Sequence, residues 1–136
     1  MICTICPRRC AVDRAARPGL CGVGESPRVA RAMLHRWEEP CISGTRGSGT
    51  VFFSGCPLRC CFCQNFEISA GCAGKDVTVG RLADIYLELQ SQGAHNVNLV
   101  SPTHYTLAIA ESLRLAKARG LAIPVAWNSG GYDSPE

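Results

Sequence analysis

All ten cysteines of this chain fall within its first 72 residues, and none follows. That distribution constrains the fold more than any other feature. A secreted disulfide scaffold is the simple reading of so many thiols in a short chain. Three features oppose it. The second half has no thiol to staple, Cys60 and Cys61 are adjacent, and Met1-Ile-Cys-Thr-Ile-Cys6 lacks the basic start and long apolar core of a secretion signal. Metal ligation is the better account of Cys56, Cys60 and Cys63, which stand at Cys-x3-Cys-x2-Cys on one stretch. Three thiolates can hold three irons of a cubane cluster and leave the fourth iron open. A cytoplasmic location is expected, and no apolar run approaches the roughly 20 residues of a membrane helix.

A second set, Cys3-x2-Cys6-x3-Cys10-x10-Cys21, lies among Pro7, Pro18, Gly19, Gly22 and Gly24. Apolar residues are sparse there, so the segment needs a metal or the main domain to order it. Four cysteines suit tetrahedral zinc or a second iron–sulfur cluster; reduced, packed thiols are the alternative. Cys41 and Cys61 read as unliganded, and His35 as a surface or packed histidine beside Trp37. The net charge of +3 is uneven, with eight arginines against four acids in residues 1–49. Only Arg8 and Arg9 are adjacent, and aromatics do not interleave them, so a solvated surface is expected for most of them rather than a nucleic-acid interface.

The chain is 46% hydrophobic and 18% charged, which marks it as globular. Residues 28–37 read as an extended segment, half of a hairpin. Thr50 to Ser54, β-branched and aromatic, reads as a strand that delivers the cysteine loop at its C-terminal end. Gln64 to Ser69 reads as a short helical turn. Residues 78–92 place Val79, Leu82, Ala83, Tyr86, Leu89 and Gln90 on one helical face, with Thr78 as N-cap and Gly93 as the stop. Asn96 to Val100 reads as a buried strand. Residues 104–119 follow as a helix with Leu107, Ala108, Ala110, Leu113, Leu115 and Ala116 on its apolar stripe. Leu121 to Ala126 reads as a third strand. Strands alternating with helices indicate βαβ units and a parallel sheet. Ligands of such sheets sit at the carboxyl ends of strands. The cysteine loop, Ser101–Tyr105 and Asn128–Tyr132 are therefore expected to face one pocket.

With its flanking text, the triplet resembles the signature of radical S-adenosylmethionine enzymes. Glu38-Glu-Pro-Cys-Ile-Ser-Gly44, Phe52-Phe-Ser-Gly-Cys-Pro-Leu-Arg-Cys60, Asn98-Leu-Val-Ser-Pro-Thr-His-Tyr105 and Asn128-Ser-Gly-Gly-Tyr132 are similar to the pyruvate formate-lyase activating enzyme-like branch. The resemblance implies an α/β fold, a partial (β/α) barrel of which residues 50–136 supply the first three strands. Residues 1–49 form a cysteine-rich extension. It implies a [4Fe–4S] cluster on Cys56, Cys60 and Cys63, with S-adenosylmethionine on the open iron. Reductive cleavage would give a 5′-deoxyadenosyl radical that abstracts hydrogen, activating a partner protein being one outcome. An electron donor such as flavodoxin or ferredoxin is implied as partner. By the same resemblance Phe62 lies by the adenine. Ser101-Pro-Thr-His104 stands where the family carries Gly-Gly-Glu, so Thr103 or His104 is expected to meet the methionine amino group. Asn128 and Ser129 are expected near the ribose or carboxylate.

Family members continue through further βα units, so the chain reads as an N-terminal half, expected to bind a cluster poorly and cleave the cofactor slowly if at all. The competing readings are a non-catalytic zinc-binding module on Cys3, Cys6, Cys10 and Cys21, and an inactive fragment. An RNA-modifying enzyme would require basic patches that the second half lacks.

Overall fold

A computed structural model describes residues 2–134. Five strands form one mixed sheet in the order β3-β1-β2-β4-β5. Strand β1 (Arg28–His35) runs antiparallel to β2 (Ser48–Phe53), with the short helix α1 (Pro40–Ser43) in their connection. Pro40 opens this single helical turn at its first position, where no N–H is needed. After the cysteine loop come α2 (Phe66–Ser69), the two-residue edge strand β3 (Lys75–Asp76) and helix α3 (Val79–Ser91). Strand β4 (Val97–Val100), a 3₁₀ turn (Thr103–Tyr105), α4 (Thr106–Ala118) and β5 (Val125–Asn128) complete the order. Strands β2, β4 and β5 are parallel, in register Val51–Leu99–Trp127. Edge strand β3 left no sequence pattern; Arg28 secures it by pairing with Asp76 at 2.7 Å.

Alternation along the strands decides which side chains meet the helices. Val51 and Phe53, Val97 and Leu99 point toward α3 and α4 and join Leu82, Tyr86, Leu89, Tyr105 and Ile109 in one core. Each such side chain contributes about 1.5–3 kcal/mol by leaving water. Thr78 caps α3 as expected, its hydroxyl accepting from Arg81 N at 3.1 Å. Gly49 lets α3 and β4 close on β2: a Cβ there would lie 2.9 Å from the Asn96 carbonyl and 3.0 Å from Leu89 Cβ.

Two expectations shift. The inward stripe of α4 is Ile109, Ser112 and Ala116, continuing from Tyr105, while Leu107 and Ala110 face solvent. Ser112 is tolerated inside because its hydroxyl donates to the Ile109 carbonyl at 2.8 Å and lies 3.2 Å from the Tyr86 hydroxyl. The third strand begins at Val125 rather than Leu121. Leu121 N closes the end of α4 on the Ala116 carbonyl, and Gln90 Oε1 accepts from Ala122 and Ile123, so those donors face away from β4. A division at residue 49 also runs through the sheet, since β1 pairs with β2 across it.

Candidate metal centre

Residues 56–63 leave the C-terminal end of β2 as an irregular loop. Gly55 makes the exit possible, with φ of +81° and the Cys21 carbonyl 2.7 Å from where its Cβ would lie. Arg59 is also left-handed, and Cys63 N returns to the Cys60 carbonyl at 3.2 Å in a tight turn. All three thiols are free and partly accessible; Cys61 and Cys41 are exposed. The hydroxyl of buried Ser69 donates to Cys63 Sγ at 3.3 Å, the kind of bond that tunes a liganding thiolate. Among the described residues, no three His, Cys, Asp or Glu side chains are gathered closely enough to hold a metal ion. The donor set fits a cubane; the sulfurs have not converged on one.

The three strand-end loops do meet. Cys56, Pro57 and Leu58 line one cleft with Ser101 and Thr103 beyond β4 and with Gly130 and Tyr132 beyond β5. It is filled. About 20 Å³ remains free, room for one water, because Leu58 lies directly on Gly130. Thr103 is in this cleft, and its hydroxyl donates to Asp133 at 2.5 Å; Ser129 donates to the other oxygen of the same carboxylate. Burial pushes Asp133 up, but hydrogen bonds from Ser129, Thr103 and Trp127 outweigh it and hold the carboxyl below its ordinary value. Two expected cofactor ligands are therefore joined through a residue the sequence reading passed over. The signal available for Asp133 was its place just after Gly130-Gly-Tyr132.

The remaining expected contacts lie elsewhere. Phe62 is 85% exposed. The side chain of Asn128 faces solvent while its carbonyl accepts from Ser101 N at 2.9 Å. His104 is 2% exposed and turned away from the cleft, with Nε2 2.8 Å from the Ser54 carbonyl. That carbonyl can only accept, so Nε2 carries the proton. Burial lowers His104 to about 4, helped by the nearby Arg14 charge and opposed by the Ser54 bond. It borders a cavity of about 440 Å³ with Cys3, Arg14 and Tyr105. A larger one, about 630 Å³, lies between Thr4, Ile5, Thr103, Trp127 and Asp133.

The N-terminal segment grips the cysteine loop. Arg8, between Cys6 and Cys10, donates from Nε to the Pro57 carbonyl at 2.8 Å and stacks over Tyr132. Cys56 N donates to the Cys21 carbonyl at 3.1 Å. Buried Arg14 anchors the segment on the core by donating to the His104 and Gly24 carbonyls above the Tyr105 ring. Most arginines of residues 1–49 are exposed, as expected, but Arg8 and Arg14 also have structural roles.

Comparison with known proteins finds a relative. Uncharacterized protein MJ0674 of Methanocaldococcus jannaschii is 33% identical over 139 aligned residues, which cover 96% of this chain and 39% of the relative. This chain therefore spans about two fifths of the length of the curated relative it matches. No family model matches the chain. No solved structure matches it either.

Proposed function

We propose that this chain carries the cluster loop and part of the cofactor cleft of a radical S-adenosylmethionine enzyme, with the sheet as the start of a partial (β/α) barrel. One observation carries the reading. A loop bearing three free cysteines ends the first of three parallel strands and lines one cleft with the loops ending the other two. Ligands of parallel sheets bind at that edge.

Cys56, Cys60 and Cys63 would hold a [4Fe–4S] cluster, with Ser69 donating to the Cys63 sulfur. A bound cluster would supply the electron for reductive cleavage of S-adenosylmethionine. Pro57 and Leu58 now occupy the cleft, and a cofactor of that size needs about 300 Å³ or more. Binding therefore requires the loop to swing off Gly130. Thr103 and Ser129 stay fixed by Asp133 as hydroxyls at the rim. An electron donor such as flavodoxin or ferredoxin, and a protein as hydrogen donor, complete the proposal.

Anaerobic reconstitution with iron and sulfide tests it. The expected result is a cubane bound at less than one per chain, with a reduced-state electron paramagnetic resonance signal that changes on adding S-adenosylmethionine. Cys56→Ala, Cys60→Ala and Cys63→Ala should each lose the signal, and Cys61→Ala should keep it. A cluster indifferent to the first three substitutions, or no cluster at all, refutes the proposal.

A further inference from the structure

The four N-terminal cysteines form a group that the cluster loop does not use. Residues 2–27 contain no helix, and their β-structure is one isolated bridge, Ile2 with Asp13. Yet Cys6, Cys21 and Val23 are buried there. The chain between the cysteines is wound into tight turns. Arg9 N bonds the Cys6 carbonyl at 2.9 Å, Ala11 N the Cys3 carbonyl at 3.2 Å, and Cys3 N the Val12 carbonyl at 2.9 Å. Arg9 and Ala11, on either side of Cys10, both adopt left-handed φ, at 38° and 50°. Residues other than glycine hold such angles only where something over-determines them.

The sulfurs face each other. The backbone N–H groups of Leu20 and Val12 and the thiol of Cys3 reach Cys10 Sγ. The point where a Gly19 Cβ would sit is 3.4 Å from Cys10 Sγ and 3.5 Å from Cys21 Sγ, so Gly19 leaves both thiols on one small space. Burial pushes the Cys21 thiol up, and Cys6 and Cys10 lie near enough to add to that. The short spacings Cys3-x2-Cys6 and Cys6-x3-Cys10 suit ligand pairs of a tetrahedral site, and Cys21 returns from the far side of the segment to close it.

We infer that Cys3, Cys6, Cys10 and Cys21 ligate one structural zinc ion, which braces the neighbouring cysteine loop. The brace is direct: Arg8 sits within the Cys6–Cys10 turn and holds the Pro57 carbonyl, and the Cys21 carbonyl holds Cys56 N. Four thiolates leave no open position, so the ion is structural rather than catalytic. The bare sulfurs have not closed to ligand distance among the described residues, and binding is expected to draw them together and release thiol protons. The inference stands independently of a cluster at Cys56, Cys60 and Cys63.

The test uses the full chain, expressed with zinc and purified anaerobically without iron. One zinc per chain is expected, and it should persist in the triple variant Cys56→Ala, Cys60→Ala, Cys63→Ala. Cys10→Ser should abolish stoichiometric zinc. Because that variant can fail by misfolding, two measurements use the wild-type chain alone. Cobalt(II) should give the intense thiolate charge-transfer and tetrahedral ligand-field bands of a four-sulfur site. Maleimide labelling read by mass spectrometry should find Cys3, Cys6, Cys10 and Cys21 shielded by zinc while Cys41 and Cys61 react. No zinc, zinc that vanishes in the triple variant, or labelling of the four cysteines regardless of zinc overturns the inference. So does iron with sulfide on those four cysteines in place of zinc.

Discussion

His104→Gln isolates the cost of burying a histidine beside the cysteine loop. The wild-type ring is 2% exposed, donates to the Ser54 carbonyl and faces the Arg14 guanidinium. Its pKa is about 4 when folded, against an ordinary 6.5. The unfolded chain therefore takes up the proton first as pH falls. Stability from keeping the ring neutral is complete above about pH 6.5 and is lost as pH falls toward 4. The loss relative to neutral pH is about 1.4 kcal/mol at pH 5.5 and roughly 2.5 kcal/mol at pH 4.5, approaching about 3 kcal/mol. Glutamine keeps an N–H donor for Ser54 but does not titrate. Urea unfolding followed by far-ultraviolet circular dichroism, with reductant and chelator present, would compare both chains at several pH values. Carboxylates such as Asp76 and Asp133 titrate alike in both and drop out of the difference. The variant should be the less stable chain at pH 7.5, and the gap should narrow by about 1.4 kcal/mol by pH 5.5. A gap that stays constant from pH 7.5 to 4.5 would refute the reasoning, since no neutral buried ring would then distinguish the two.

Thr78→Ala removes the acceptor for Arg81 N and should cost about 1 kcal/mol in the same urea assay. Gly49→Ala drives a methyl against the Asn96 carbonyl and Leu89; a loss of about 1–3 kcal/mol is expected, and an unchanged midpoint would show that α3 yields freely. Arg8→Ala frees the Pro57 carbonyl at a partly exposed site, so the unfolding midpoint should barely move while maleimide labelling of Cys56 accelerates several-fold. Equal labelling rates would show that Arg8 does not hold the loop.

The parallel part of the sheet was legible because its signals are local. Thr78 and Gly93 mark the ends of α3, and β-branched and aromatic residues mark the strand at Thr50 to Phe53. The α4 stripe misled because alanines and leucines surround that helix, and buried Ser112 does not look like core; only its two hydroxyl contacts make it so. Start of β5 was misplaced for a similar reason. Leu121 to Ile123 have the composition of a strand, but their N–H groups serve the end of α4 and Gln90. At the site, the meeting of the three loops followed from topology. The closure of the cleft did not, because it depends on one leucine reaching a glycine 72 positions later.

The least legible part was the role of the arginines. Composition sees charge, whereas Arg8 and Arg14 act on backbone carbonyls, and a carbonyl has no sequence signature. Arg8 reaches residue 57, and Arg14 reaches residue 104. Both contacts join the segment with the fewest apolar residues to the edge of the sheet where ligands bind. An irregular segment of this kind cannot hold a loop unless it is itself held, because ordering its backbone costs about 1–2 kcal/mol per residue and three buried apolar side chains cannot offset that. Either the core holds it through Arg14 and Val23, or a metal does through four thiolates. In the first case, removing metal leaves the cysteine loop as it is. In the second, chelation should mobilise residues 2–27 and, through Arg8 and the Cys21 carbonyl, residues 56–63 together. Amide hydrogen exchange before and after chelation separates the two, since only a shared metal brace couples exchange in segments so far apart in the chain.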